Sequence, residues 1–325
     1  MSRALLRAFL LQLLPYAAVA FAACSWGTWS LALRHAEAMG PMPSALEATI
    51  ALAVTTAFAG LTAVRDRIPG RATWRGRGWI AWLGVGDGLN VLLFFAAYKI
   101  TVGVAVLSHY LAPIFVAAAS PVVLRERLTR RTLAAVCVSF AGLALMLGPL
   151  GPRRGGPDAS AVWLSAALGA GSALFYASNV VANKFVAGEF STSETMFWHG
   201  VVATPLLAAF VPRSAWAAVD VRAVTFLSVA SLGPGALAGL AFVWGLRRMP
   251  AAHASTLTLL EPLVAVIVGA LVFDEDLGLR AVAGGALILT GAVTIMTSAP
   301  ARGRPTAEAQ RHRGRTAGDG EGEGT

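Results

Sequence analysis

Slid by 149 residues, this chain falls on itself. The stretch "AVLSHYLAPIFVAAASPVVLRERLTRRTLAAVCVSFAG" then lies over "ASTLTLLEPLVAVIVGALVFDEDLGLRAVAGGALILTG" without a gap. Pro113 meets Pro262, Glu126 meets Glu275, Leu128 meets Leu277, Arg131 meets Arg280, and Gly142 meets Gly291. The first parts of the two halves match at nearly the same offset, with Trp26 over Tyr176 and Arg34 over Lys184. One structural unit is therefore built twice, and the two copies must fold alike.

What is repeated is apolar. With 56% hydrophobic and 13% charged residues the chain is no ordinary soluble protein. Stretches free of Asp, Glu, Lys and Arg run 8–33, 48–64, 102–124, 132–152, 159–183, 195–212, 223–246 and 281–301. Two further stretches, 78–98 and 249–273, contain one carboxylate each, Asp87 and Glu261. Together these predict ten membrane spans, numbered 1 to 10 in chain order, with connections too short for a soluble domain. Each half then holds five spans. Because five is odd, the second half is expected to cross in the opposite sense. The loop charges agree: "RERLTRR" follows span 4 and the acidic "DEDLGLR" follows span 9. Inverted repeats of this kind are the mark of alternating-access carriers with a site near the midplane.

Counting lysine and arginine on alternate sides puts 19 of the 26 on the side of both termini, which predicts cytoplasmic termini in an inner (plasma) membrane. The formal charge of +9 thus reads as a membrane-surface pattern rather than as nucleic-acid binding. The expected organisation is a cytoplasmic segment at 1–14, a five-helix repeat at 15–150, a periplasmic linker at 151–158, a second repeat at 159–299, and a disordered cytoplasmic tail at 300–325. The basic, apolar start resembles a signal peptide, and Cys24 invites a lipoprotein reading. An uncleaved first span is simpler, since the apolar run continues to Leu33. Cys24 and Cys137 lack CxxC spacing, and no His/Cys/Asp cluster has ligand spacing, so neither a metal nor a cofactor is expected.

The segment "LGVGDGLNVLLFFAAYKITVGVAVLSHYLAPIFVAAASPVVLRERLTRRTLAAVCVSFAGLAL" resembles the second half of the domain of EamA-type carriers in the drug/metabolite transporter superfamily. "LRRMPAAHASTLTLLEPLVAVIVGALVFDEDLGLRAVAGGALILTGAV" resembles it again, including the Glu-Pro pair. The resemblance covers roughly 15–298 and departs at "PSALEATIAL", where the family pattern would have an arginine. It implies an all-α membrane protein of ten helices, a secondary carrier exporting amino acids, other small metabolites or drugs.

Polar groups inside the spans are the candidate site. Asp87, Asn90, Phe94 and Tyr98 follow i, i+3, i+7, i+11, one helical face carrying an acid, an amide and two aromatics. That face reads either as a pathway wall or as a helix contact beside the Gly84–Gly88 close approach. Glu261 sits against Pro262, which cannot donate to the Thr258 carbonyl, as Pro113 cannot to that of His109; both spans are expected to break there. The first proline is preceded by Ala112, so the break does not require an acid. Glu261 is a proton carrier, a counter-ion for a cationic substrate, or a donor to the freed carbonyl. His109 reads as a titrating group or an interhelical donor.

Ser172, Tyr176, Asn179 and Asn183 make a second stripe on span 6, and Ser25, Trp26 and Trp29 stand in the symmetric span 1. These are the expected opposite wall, with packing as the alternative for the tryptophans. Trp74, Trp79, Trp163 and Trp216 read as an interfacial belt. Glu47 falls in "SALE" and Glu194 in "STSE", both capping boxes by pattern, so both are assigned to helix caps. Glu126 and Glu275 are expected at the surface, and His199, one turn beyond Glu194, has no assignment.

The sequence thus predicts a secondary transporter exporting small organic metabolites by alternating access, with protons as the candidate coupling ion. It would act in the lipid bilayer, as a monomer or homodimer, without nucleic acid. A flippase for a lipid-linked group and a non-transporting sensor are the alternatives. No nucleophile-and-base pattern supports an enzyme.

Overall fold

The computed structural model describes residues 3–40, 42–68, 70–148, 158–274 and 277–298, with side chains from residue 11 onward. The expected tail at 300–325, most of the 151–158 linker and Glu275 lie outside the described residues. Among the described residues the regular structure is helical throughout: α1 (Arg3–Gly27), α2 (Trp29–Met39), α3 (Ser44–Asp66), α4 (Trp74–Ile100), α5 (Val102–His109), α6 (Ala112–Ala119), α7 (Arg130–Leu147), α8 (Ala159–Phe185), α9 (Thr192–Ala208), α10 (Arg213–Ala218), α11 (Val221–Ala230), α12 (Ala238–Leu246), α13 (Ala251–Leu257), α14 (Leu260–Phe273) and α15 (Leu279–Thr297). Wide π-helical turns at Ser120–Leu124 and Leu232–Leu237 extend α6 and join α11 to α12.

Taken as continuous runs, nine of these are long and apolar enough to cross a bilayer, from Leu11–Met39 to Leu279–Thr297. At 17 residues, α9 is shorter than those nine. Large apolar side chains such as Leu61, Val64, Leu271 and Leu279 stand more than two-thirds exposed on the outer surface. In water such a surface would drive association, whereas hydrocarbon accepts it without cost.

The helix pairings exchange between the halves. In the first half α4 packs on α8, and the corresponding α12 packs on α1; α6 packs on α8, and the corresponding α14 packs on α1. The pairs α3 with α9 and α7 with α15 map onto themselves. The last pair is a close backbone approach, since a Cβ built on Gly142 would sit 2.6 Å from the Gly284 carbonyl. Small residues at such seams let dispersion and weak polar contacts replace the hydrophobic drive that lipid removes.

The repeat extends to backbone detail. The helix ending at His109 resumes at Ala112 just before Pro113, and the one ending at Leu257 resumes at Leu260 just before Pro262. Both runs then end on a non-glycine residue in the left-handed region, Arg125 at φ 56° and Asp274 at φ 53°. Such a conformation is strained for an L side chain, and it recurs at the same offset of 149.

Candidate functional site

A cavity of about 390 Å³ opens between the halves, within the size range of small-molecule sites. Its wall takes Trp26 from α1, Trp29 from α2, Glu47 from α3, and Asp87, Asn90 and Phe95 from α4. The second half adds Tyr176, Asn179 and Asn183 from α8, Met196 and His199 from α9, Phe242 from α12 and Glu261 from α14. Aromatic rings frame it, with Trp26 tilted on Phe242 at 5.2 Å between centroids. Among the described lining residues there are three carboxylates and neither lysine nor arginine.

Glu261 reaches the cavity from the break before Pro262. Its own backbone N–H donates to the Thr258 carbonyl at 3.0 Å, so the carbonyl left free by the proline is already occupied. The side chain is thereby released from that duty.

Asp87 faces His199 across α4 and α9, with Oδ2 3.4 Å from Nε2. The other ring nitrogen, Nδ1, lies 3.1 Å from the Thr195 carbonyl. A carbonyl can only accept, so Nδ1 carries a proton. A proton between Nε2 and Asp87 then makes the pair either imidazolium with carboxylate or neutral imidazole with carboxylic acid. Two groups on opposing helices thus meet at the cavity wall.

Four other oxygens on the wall have no protein partner: Glu47 Oε1, Tyr176 Oη, Asn179 Oδ1 and Asn183 Oδ1. The Asn183 amide is oriented by its Nδ2, which donates to the Asn179 main-chain carbonyl at 3.0 Å. An unpaired buried acceptor costs about 1–3 kcal/mol, and Glu47 is only 3% exposed. Concentrating such costs in one wall is a mark of a binding surface rather than of packing.

The residues expected at the site divide. Asp87, Asn90, Trp26, Trp29, Tyr176, Asn179, Asn183 and Glu261 line the cavity, whereas Phe94, Tyr98 and His109 do not. Phe94 turns its ring to His109 at 4.9 Å. Eleven residues at 1.5 Å each put Tyr98 about 16 Å along the helix from Asp87, past the cavity. His109 Nδ1 lies 2.9 Å from the Ser172 hydroxyl, which in turn donates to Asn90 Oδ1 at 2.7 Å. This chain braces α4, α5 and α8 behind the wall.

Glu47 is corrected from helix cap to cavity acid. The N-cap of α3 is Pro43, so no side-chain cap forms, and Glu47 stands one place too far along to complete a box. Glu126, expected at the surface, is partly buried, with 21% of its side chain exposed. Its Oε1 pairs with Lys184 at 2.8 Å and its Oε2 accepts from the Ala251 N–H at 2.6 Å, tying the end of α8 to the start of α13. Lys184 also donates to the Met249 carbonyl. At the same end Arg247 donates to the Phe190 carbonyl at 2.9 Å and to the Thr195 hydroxyl at 2.6 Å. Burial pushes its guanidinium down to about 10, still charged at neutral pH. The pairing that reveals His199 is non-local, and no spacing in the sequence announces it.

The family model for the EamA-like transporter family matches residues 13–148 and again 163–297. An uncharacterized transporter from Archaeoglobus fulgidus is 32% identical over 213 residues, spanning 64% of this chain and 73% of that relative. A solved crystal structure of a protein superposes at a TM-score of 0.67 over 90% of this chain and 97% of its own, with 21% identity, a likeness of fold alone.

Proposed function

Because the chain belongs to the EamA-like transporter family, we propose that this membrane transporter is a secondary carrier exporting small organic metabolites across the inner membrane by alternating access. The observation that carries the reading is the position of the cavity. It lies between the halves, contains Glu261 and the Asp87–His199 pair, and runs toward Glu47 near the start of α3. The opposite end, where α8 ends and α13 begins, is tied by Lys184, Glu126 and Arg247. A cavity that extends toward one end while the other end is tied fits one of the two states that alternating access requires.

The ten-span inverted arrangement is part of this proposal, with α9 as the short seventh span and both termini cytoplasmic. The exchange of helix pairings between halves supports a two-fold relation, and five spans per half make it an inverted one. The tied end is then cytoplasmic and the cavity faces outward. Proton coupling runs through Glu261 or the Asp87–His199 pair, the ionisable groups at the cavity's middle depth.

The test compares metabolites released by cells overproducing the native protein with those released by cells carrying Glu261→Gln at equal membrane abundance. Native-specific release of one compound class is the expected outcome. Identical media from native, variant and empty cells would sink the export reading. If Glu261→Gln and Asp87→Asn each leave transport and its pH dependence unchanged, proton coupling at these groups is finished.

A further inference from the structure

Resting on that reading of the cavity, we infer that its ligand is a protonated primary or secondary amine, bound through its N–H groups, and that neither a quaternary ammonium nor a zwitterionic amino acid is a good substitute. The charge of the wall gives the first half of the inference. Glu47, Asp87 and Glu261 all line the cavity, and no lysine or arginine among the described lining residues balances them. The carboxylate of a zwitterion would meet this surface with no fixed cation to receive it apart from His199, which Asp87 already engages at 3.4 Å.

Hydrogen-bond bookkeeping gives the second half. Glu47 Oε1, Asn179 Oδ1 and Asn183 Oδ1 are all acceptors, and none has a protein partner. The Asn183 oxygen is fixed as the outward atom of its amide because Nδ2 is spent on the Asn179 carbonyl. A ligand that completes these three oxygens must donate, while the Tyr176 hydroxyl, the fourth unpaired group of the wall, can take either role. An ammonium with two or three N–H bonds can do so, whereas a fully methylated nitrogen of the same charge cannot. Trp26, Phe95 and Phe242 offer ring faces for an apolar or flat body and for the cation itself. Glu47 carries most weight, being a carboxylate 3% exposed on the wall with one oxygen unpaired.

Binding is measured apart from transport, so that failure of the carrier reading and failure of this one are distinguishable. Purified full-length protein in detergent is titrated with phenethylamine, tryptamine and 1,5-diaminopentane, each beside its permethylated quaternary counterpart, and with phenylalanine and tryptophan as matched zwitterions. The readouts are thermal stabilisation and calorimetric affinity. At least one primary amine is expected to bind about ten-fold or more tightly than its quaternary and zwitterionic partners, the scale of a lost charge-assisted hydrogen bond. Glu47→Gln is expected to weaken it by about ten- to a hundred-fold, and Asn183→Leu by less. Monodispersity and the unliganded melting temperature confirm that each variant is folded.

No binding by any of the three amines, equal binding of the quaternary compounds, or tighter binding of the zwitterions overturns the inference. Amine binding to native protein that Glu47→Gln and Asn183→Leu both leave unchanged overturns it too. Selective amine binding without amine flux in proteoliposomes leaves the binding inference standing and removes the transport reading.

Discussion

Two helices begin with nearly the same four letters, and their acids have opposite fates. At α9, Ser191 is the N-cap: its hydroxyl accepts from the Glu194 N–H at 3.0 Å, and Glu194 Oε2 accepts from the Ser191 N–H at 2.9 Å. The same Glu194 oxygen also takes the Ile68 N–H at 3.2 Å, and the Ser191 hydroxyl donates to Asp66 at 3.0 Å. At α3 the helix starts one residue earlier. Leu46 and Glu47 both donate their N–H groups to the Pro43 carbonyl, so the Ser44 hydroxyl caps nothing and Glu47 faces the cavity. A capping box therefore binds its acid only when the serine is the N-cap. A shift of one residue turns a structural acid into one available for function.

The largest effect that would test this contrast is on stability. Glu194→Ala removes the acceptor for two backbone N–H groups and is expected to cost about 2–4 kcal/mol. Its Arg67 partner, 3.8 Å away and 75% exposed, adds little. Glu47→Ala is expected to change stability by less than about 1 kcal/mol, because it removes a buried carboxylate one of whose oxygens is already unpaired. Equal losses in detergent unfolding would mean that Glu47 is held as firmly as Glu194, and the contrast would be void.

The serines come next. Ser191→Ala should cost about 1 kcal/mol through the lost cap. Ser44→Ala should be neutral or stabilising by about 0.3 kcal/mol, since alanine is the better residue within a helix. A loss at Ser44 matching that at Ser191 would show that Ser44 caps after all.

These two helices also mark the limit of what the sequence discloses. Spans, helix breaks and repeat are written locally: charge-free runs have a membrane's length, a proline lacks its N–H, and an offset of 149 survives by inspection. The stripes Asp87–Asn90 and Tyr176–Asn179–Asn183 are legible because helical periodicity puts them on one face. Periodicity gives a face only approximately and not how far a cavity extends along it: Tyr98 falls beyond the wall, and Phe94 turns to His109 while its neighbour Phe95 lines the cavity. Glu47 was hidden by register, a property of where the helix starts. His199 was hidden because its meaning lies in Asp87, 112 positions away in the chain.

What sets the register of α3 is the subtlest question, and its test has the smallest expected effect. Pro43, at φ −64°, is shaped to open a helix. Leu46 and Ile50 are buried with Met42, Val211 and Leu227 in one apolar cluster. Burying a leucine contributes about 1.5–3 kcal/mol, against about 1 kcal/mol for a cap, so packing should hold the register without the proline. Pro43→Ala is accordingly expected to leave amine affinity within about two-fold, less than the ten-fold step of a lost charged hydrogen bond. A larger loss with stability unchanged would mean that Ser44 had taken the N-cap and drawn Glu47 back to the backbone as its N3 partner. The proline, rather than the buried leucine, would then be what keeps this acid in the cavity.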